Sequence, residues 1–170
     1  MEGKGILFNF AISDLKIRYR NSVLGVFWSL VEPLLMMGVL FVVFSNMFKF
    51  EIPNFPIYLL LGIVCYNFFK NGTTFALNSL TNRAVLMTQI YFPRSIPGIS
   101  GAITASIMLI IELIVLVFFI VIFQFSPPAT IFLLPLVLGL MLVLVIGIAL
   151  PLSVLNVKYK DTEFIWLVVV

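Results

Sequence analysis

The sequence has no histidine and one cysteine, Cys65. Without histidine it lacks the commonest metal ligand and the side chain that most often moves protons near neutral pH. A lone cysteine excludes an internal disulfide. Charge is also scarce, at 10% of residues against about 25% in a soluble domain. Hydrophobic residues make up 62% of the chain and the mean hydropathy is +1.22. A soluble globule of this composition would be coated with apolar surface, so the chain reads as an integral membrane protein. Its net charge of +3 does not point to nucleic acid, because the basic residues are scattered rather than gathered on one face. Residues 1–20 have neither a long apolar core nor a small-residue cleavage site, so they do not read as a signal peptide. There is no glycine-rich phosphate loop to bind ATP, no catalytic constellation, and no cofactor or metal site is expected.

What is present is a succession of apolar runs separated by polar links. Residues 5–20 predict a helix with Leu7, Phe8, Ala11, Ile12, Leu15 and Tyr19 on one face and Asn9, Ser13, Lys16 and Arg20 on the other. Asp14 and Arg18, four residues apart, are placed to pair along an edge. This helix either lies in the membrane interface or packs on its own protein; the two are compatible. Arg18, Arg20 and then Trp28 precede the first long apolar run, as expected of a helix entering a bilayer. Four complete spans are expected at about 26–48, 56–80, 98–123 and 130–153, each meeting the ~20 residues needed to cross a ~30 Å core. A fifth run begins at Phe164 and is still apolar at Val170, so at least one span is expected beyond it. The fold class is thus an all-α polytopic helical bundle: an amphipathic segment over 1–25, then a transmembrane domain over 26–170.

The links alternate in charge. Lys4, Lys16, Arg18 and Arg20 precede the first span, Arg83 and Arg94 follow the second, and Lys158 and Lys160 follow the fourth. The link after the first span holds only Lys49, and the link after the third holds no basic residue. The positive-inside rule then puts the N terminus in the cytoplasm, with Arg18, Arg20, Trp28, Lys158 and Lys160 as membrane-border anchors.

Within the spans the second is least uniform, interrupted by Asn67, Lys70, Asn71 and Asn78; such residues should face other helices or a water-filled path. The third opens on Gly98, Ser100, Gly101, Ala102, Ala105 and Ser106, which would let a neighbouring helix approach closely. Glu32 and Glu112 are the acidic residues inside spans, and either bridge helices or relay protons. Tyr58, Tyr66, Phe68 and Phe69 could stack on sugar rings, although in a chain with 18 phenylalanines lipid-facing filler serves equally. Residues 83–94 mix Val85, Leu86, Ile90 and Phe92 with arginines, and so present an apolar patch on the cytoplasmic side that needs a cover.

Three segments together resemble one family. Arg18-Tyr19-Arg20-Asn21-Ser22-Val23-Leu24-Gly25-Val26-Phe27-Trp28 with Glu32-Pro33-Leu34, then Tyr91-Phe92-Pro93-Arg94, then Asn156-Val157-Lys158-Tyr159-Lys160-Asp161 occur in the order and on the membrane sides seen in the membrane subunits of type-2 ABC exporters. The similarity is strongest to the branch exporting O-antigen, capsule and teichoic acid. It implies a six-span fold of which this chain is a part, a homodimer, and a separate ATPase subunit, so that the permease itself is no enzyme. It implies that Arg83, Leu86, Ile90, Tyr91, Phe92, Pro93 and Arg94 form a coupling element docked on that ATPase. The cargo would be a polysaccharide or lipid-linked glycan, with Glu32, Asn67 and Glu112 as pathway or interhelix polar groups. The alternatives are export of a lipid, drug or other small molecule, or a proton-coupled carrier using Glu32 and Glu112.

Overall fold

A computed structural model describes residues 2–19, 25–48, 54–82 and 95–170. The expected coupling segment 83–94 and the anchor Arg20 lie outside the described residues. Six α-helices make up nearly everything described: α1 (Glu2–Arg18), α2 (Trp28–Phe48), α3 (Phe55–Asn82), α4 (Ser95–Ile122), α5 (Leu134–Lys158) and α6 (Asp161–Val169). Short 3-10 turns, Gly25–Phe27 and Ala129–Leu133, lead into α2 and α5. Helices α2 to α5 fall on the four expected spans, and α6 begins three residues before the expected fifth run, its first turn holding Asp161 and Glu163. Acidic side chains there complement the partial positive charge of a helix start.

By length and composition three helices are able to cross a membrane: Trp28–Asn46, Pro97–Ile122 and Ala129–Lys158. The chain is a multi-pass membrane protein. Helix α3, at 28 residues, is long enough, but its asparagines and Lys70 dilute its hydropathy. It nevertheless runs along α4 and α5 and is shielded by them: Leu60, Val64, Thr73, Ala76 and Leu77 are almost fully buried, as are Ala102, Ala105 and Val145 opposite. The outward residues of α2, α4 and α5, such as Val39, Ile114, Phe118, Leu140 and Val143, are exposed and apolar, as lipid contact requires.

The α3–α4 seam is built on small residues. A Cβ added to Gly101 would stand 2.5 Å from the backbone nitrogen of Ala76, and one added to Gly72 would stand 3.5 Å from Ala105 Cβ of α4 and 2.6 Å from Val145 Cγ1 of α5. Lipid tails are as apolar as leucine, so helices here gain from close van der Waals contact rather than from leaving water, and small side chains are what permit it. This is the approach expected from the small residues opening the third span. The far end of α4 closes with Gln124 in a left-handed conformation (φ 48°), Gln124 N–H donating to Val121 O at 3.2 Å and Phe125 N–H to Ile120 O at 3.0 Å. That is a Schellman closure with glutamine at the usual glycine position, and the prolines at 127 and 128 stop the helix from continuing. Phe125 then meets Tyr58 of α3 edge-on, with ring centroids 5.9 Å apart.

Helix α1 lies on α4. Ala11 is fully buried and its carbonyl accepts a long 3.5 Å hydrogen bond from Thr104 Oγ1. Asn9, Ser13 and Lys16 are exposed, as the helical wheel requires. Arg18 is directed at other helices: Nη2 is 3.9 Å from Glu32 Oε2 of α2, and Nη1 donates to Asn71 Oδ1 of α3 at 3.3 Å.

Replacing Gly101 by leucine should push α3 and α4 apart. Overpacking of this kind costs about 1–3 kcal/mol. Thermal denaturation in detergent should show a lower midpoint for Gly101→Leu, with Gly62→Leu, where a Cβ meets nothing within 4 Å, close to wild type.

Candidate functional site

An open groove of about 920 Å³ runs between α2 and α3. Helix α2 supplies Trp28, Glu32, Leu35, Met36, Val39 and Leu40; α3 supplies Phe55, Tyr58, Leu59, Gly62, Ile63, Tyr66, Asn67 and Lys70. The side-chain spacing explains this lining. Positions 55, 58, 59, 62, 63, 66, 67 and 70 repeat at steps of three and one, so that each has a neighbour three or four residues away and all form one stripe of α3. The α2 wall is apolar apart from Glu32 at its start. The α3 wall carries three aromatic rings among apolar residues, with Asn67 and Lys70 together at one end. Tyr58 and Tyr66 are about half exposed there, as is Trp28.

Behind the α3 wall lies Glu112 of α4, 3% exposed. Its carboxyl lies beside Asn67 of α3, and Oε2 has no hydrogen-bond partner among the described residues. Of the residues expected to mark a pathway, the structure therefore brings Glu32, Asn67, Tyr58, Tyr66 and Trp28 to one groove and sets Glu112 one layer behind it. Phe69 points elsewhere: its ring packs against Trp166 of α6, centroids 6.4 Å apart. Arg18 acts as more than a border anchor, since it ties α1 to α2 and α3 and lies over the Phe75 ring at 5.2 Å. Lys158 is exposed at the end of α5, its ammonium 5.2 Å from the Tyr159 ring, and Lys160 is exposed beside it.

A second polar cluster was not legible as such. Asn78 Nδ2 donates to Glu163 Oε1 at 2.8 Å, and Asn156 Nδ2 donates to Asn78 Oδ1 and to Leu77 O, both at 3.2 Å. Trp166 Nε1 donates to Thr73 Oγ1 at 3.1 Å. Asparagines at matching depth on α3 and α5 were its only sequence signal. The cluster gives the Asn156–Asp161 segment a structural task, because Asn156 fastens α5 to α3 just before the chain turns into α6.

The model of the family described as ABC-2 type transporter matches residues 9–170. The chain belongs to the ABC-2 type transporter family. Its relatives include two proteins named O-antigen export system permease protein RfbA from Klebsiella pneumoniae, 27% and 26% identical over 164 residues. Each match covers 94% of this chain and 63% of the relative. A protein of the same name from Myxococcus xanthus is 25% identical over 162 residues, covering 95% of this chain and 62% of that protein. The chain thus spans a little under two thirds of the length of these relatives. Family membership bears out the sequence resemblance.

Asn156→Leu should loosen the α3–α5 tie at the cluster end. Interhelical hydrogen bonds in membranes contribute about 0.6–2 kcal/mol, and Asn78 would lose one. The expected result is a lower unfolding midpoint in detergent, matched by Asn78→Leu, with the double variant less than additive because the two share one network.

Proposed function

We propose that this chain is the permease subunit of an ATP-driven exporter that moves a polysaccharide or lipid-linked glycan across the cytoplasmic membrane. The observation that carries the reading is the groove itself. Exposed Trp28, Tyr58 and Tyr66 rings line it together with Glu32, Asn67 and Lys70, on a surface that would otherwise meet lipid. Sugars present apolar ring faces and hydroxyl edges, and such a lining offers both stacking and hydrogen bonding. The names of the relatives support the same cargo. The 83–94 segment, from Arg83 to Arg94, is the proposed contact with a separate ATPase subunit, and two copies of the permease would complete the pathway. The N terminus lies in the cytoplasm in this reading, supported by the alternation of basic links. ATP-driven closure of the partner would shift 83–94, and the bundle would respond by favouring one arrangement of its spans.

Two outcomes test it. In cells lacking the native permease, the full-length protein with Tyr58→Ala and Tyr66→Ala should assemble normally yet export glycan on the order of tenfold more slowly, each lost stack removing about 0.5–1.5 kcal/mol. Undiminished glycan export by this variant would remove the stacking role of the two rings, and no glycan export by the wild type would favour a small-molecule or lipid cargo. Phe92→Asp should leave ATP hydrolysis by the partner intact while abolishing export, because a charge at the docking contact cannot be buried without a partner. Export at the wild-type rate would remove the coupling role of 83–94.

A further inference from the structure

A second cavity, of about 290 Å³, opens on another face of α3, where α3, α4 and the turn into α5 meet. Its walls include Ile57 and Leu61 of α3, Leu116 and Ile120 of α4, and Leu134 and Leu138 of α5. The turn contributes Phe125, Pro127 and Pro128. None of the described residues that line it carries a charge. Ile57 and Leu116 belong to the core, at 5% and 4% exposure, whereas Leu133 and Val137, which also line it, are 55% and 49% exposed. The cavity therefore runs from the outer surface of the bundle inward to its core. Its depth is that of hydrocarbon rather than water. Leu116 lies about 9 Å along α4 from Ile122, where that apolar span ends, and Leu134 and Leu138 lie inside the next one, Ala129–Lys158.

We infer that this cavity is a resident site for one acyl chain of a bilayer phospholipid. The inference stands apart from the export reading. Continuity with the lipid-facing surface selects the occupant. Leu133, Val137 and Leu140 follow one another at helical spacing and are exposed, so they form one apolar stripe that leads from the lipid-covered side of α5 into the cavity. A chain lying on α5 enters without crossing a polar border. The lining disfavours other small occupants. A headgroup or an ion would meet no counter-charge among the described residues. A buried water needs two to four polar partners, and the described lining side chains offer only the Tyr58 and Thr130 hydroxyls and the Cys65 thiol. The size fits hydrocarbon: an apolar cavity of about 150 Å³ takes a benzene molecule, and this one, at about 290 Å³, takes a longer apolar segment. A chain seated there gives Ile57 and Leu116 close van der Waals neighbours on their cavity side. Tyr58 lines both this cavity and the groove, and its ring meets Phe125 of the turn edge-on. The chain thus packs against a ring that the groove also presents.

The test uses the full-length permease with its ATPase partner in nanodiscs of phospholipid carrying a diazirine on one acyl chain. After illumination the cross-linked residues are mapped by mass spectrometry. Wild type should be labelled at Ile57 and Leu116, which are buried from chains on the outer surface, as well as at the exposed Val143. Leu61→Trp fills the cavity from α3 and Leu138→Trp fills it from α5. Each should lose the label at Ile57 and Leu116 and keep it at Val143. Two walls are used so that a folding defect in one variant, read as a lower unfolding midpoint, leaves the other to decide. Label at Val143 without label at Ile57 or Leu116 in the wild type overturns the site. Label at Ile57 and Leu116 that persists in both variants overturns it as well. An isoprenyl alcohol bearing the same diazirine, added as a minor component, overturns the acyl source if it labels Ile57 and Leu116 beyond its share of the bilayer. Each of these outcomes is read without reference to glycan export, so this inference and the export reading fail separately.

Discussion

Everything in the bundle depends on the close approach of α3 to α4. Inside a bilayer there is no water to be expelled between helices, so a helix pair holds together only if its backbones come near enough for dense van der Waals contact. Gly101 against Ala76, and Gly72 between Ala105 and Val145, provide that nearness. The consequence reaches beyond packing. Helix α3 has too many polar side chains to face lipid, and the seam turns Thr73, Ser79 and Asn67 inward. Ser79 and Thr73 settle their hydroxyls on carbonyls of the preceding turn, at 2.6 and 2.8 Å, and so bring no unpaired donor into the core.

With α4 and α5 covering one side of α3, its remaining polar stripe has to look the other way. Helix α2 leans against that side without closing it, and the result is the groove. Arg18 sets how far α2 stands from α3, because a single guanidinium spans Glu32 of one and Asn71 of the other. Both contacts are partly exposed, so the tie contributes little stability by itself. Its weight is geometric: α1, which rides on α4, is joined through one side chain to both walls of the groove.

Much of this was legible from periodicity and composition. Helices α2 to α5 sit where apolar runs of sufficient length placed them, and the small residues at 98–106 announced a tight seam because nothing else explains glycine and alanine at helical spacing in a span. Tyr58 and Tyr66 were legible as ring-stacking candidates and Asn67 as a polar interruption of the span, but not that the three line one groove. Phe69 was not separable from them by sequence, since a ring one position round the helix is equally aromatic and only the location of Trp166 decides its face. The pairing of Arg18 was also hidden: local spacing offered Asp14, while Glu32 and Asn71 come near only after α1, α2 and α3 assemble. The Asn78–Asn156–Glu163 cluster joins residues up to 85 apart in sequence, and no local pattern encodes a meeting of that range.

The groove differs from an ordinary lipid-facing cleft in the way its charges are divided. A bundle that wanted only stability would pair Glu32 with Lys70 across the groove, since an ion pair satisfied within the wall removes the cost of both charges. Here Glu32 is engaged from below by Arg18, and Lys70 is left over a tyrosine ring. The arrangement keeps the α2 wall apolar along most of its length while the α3 wall retains a positive charge toward the Arg18 end. A two-sided surface of that kind discriminates by polarity along its width as well as by size.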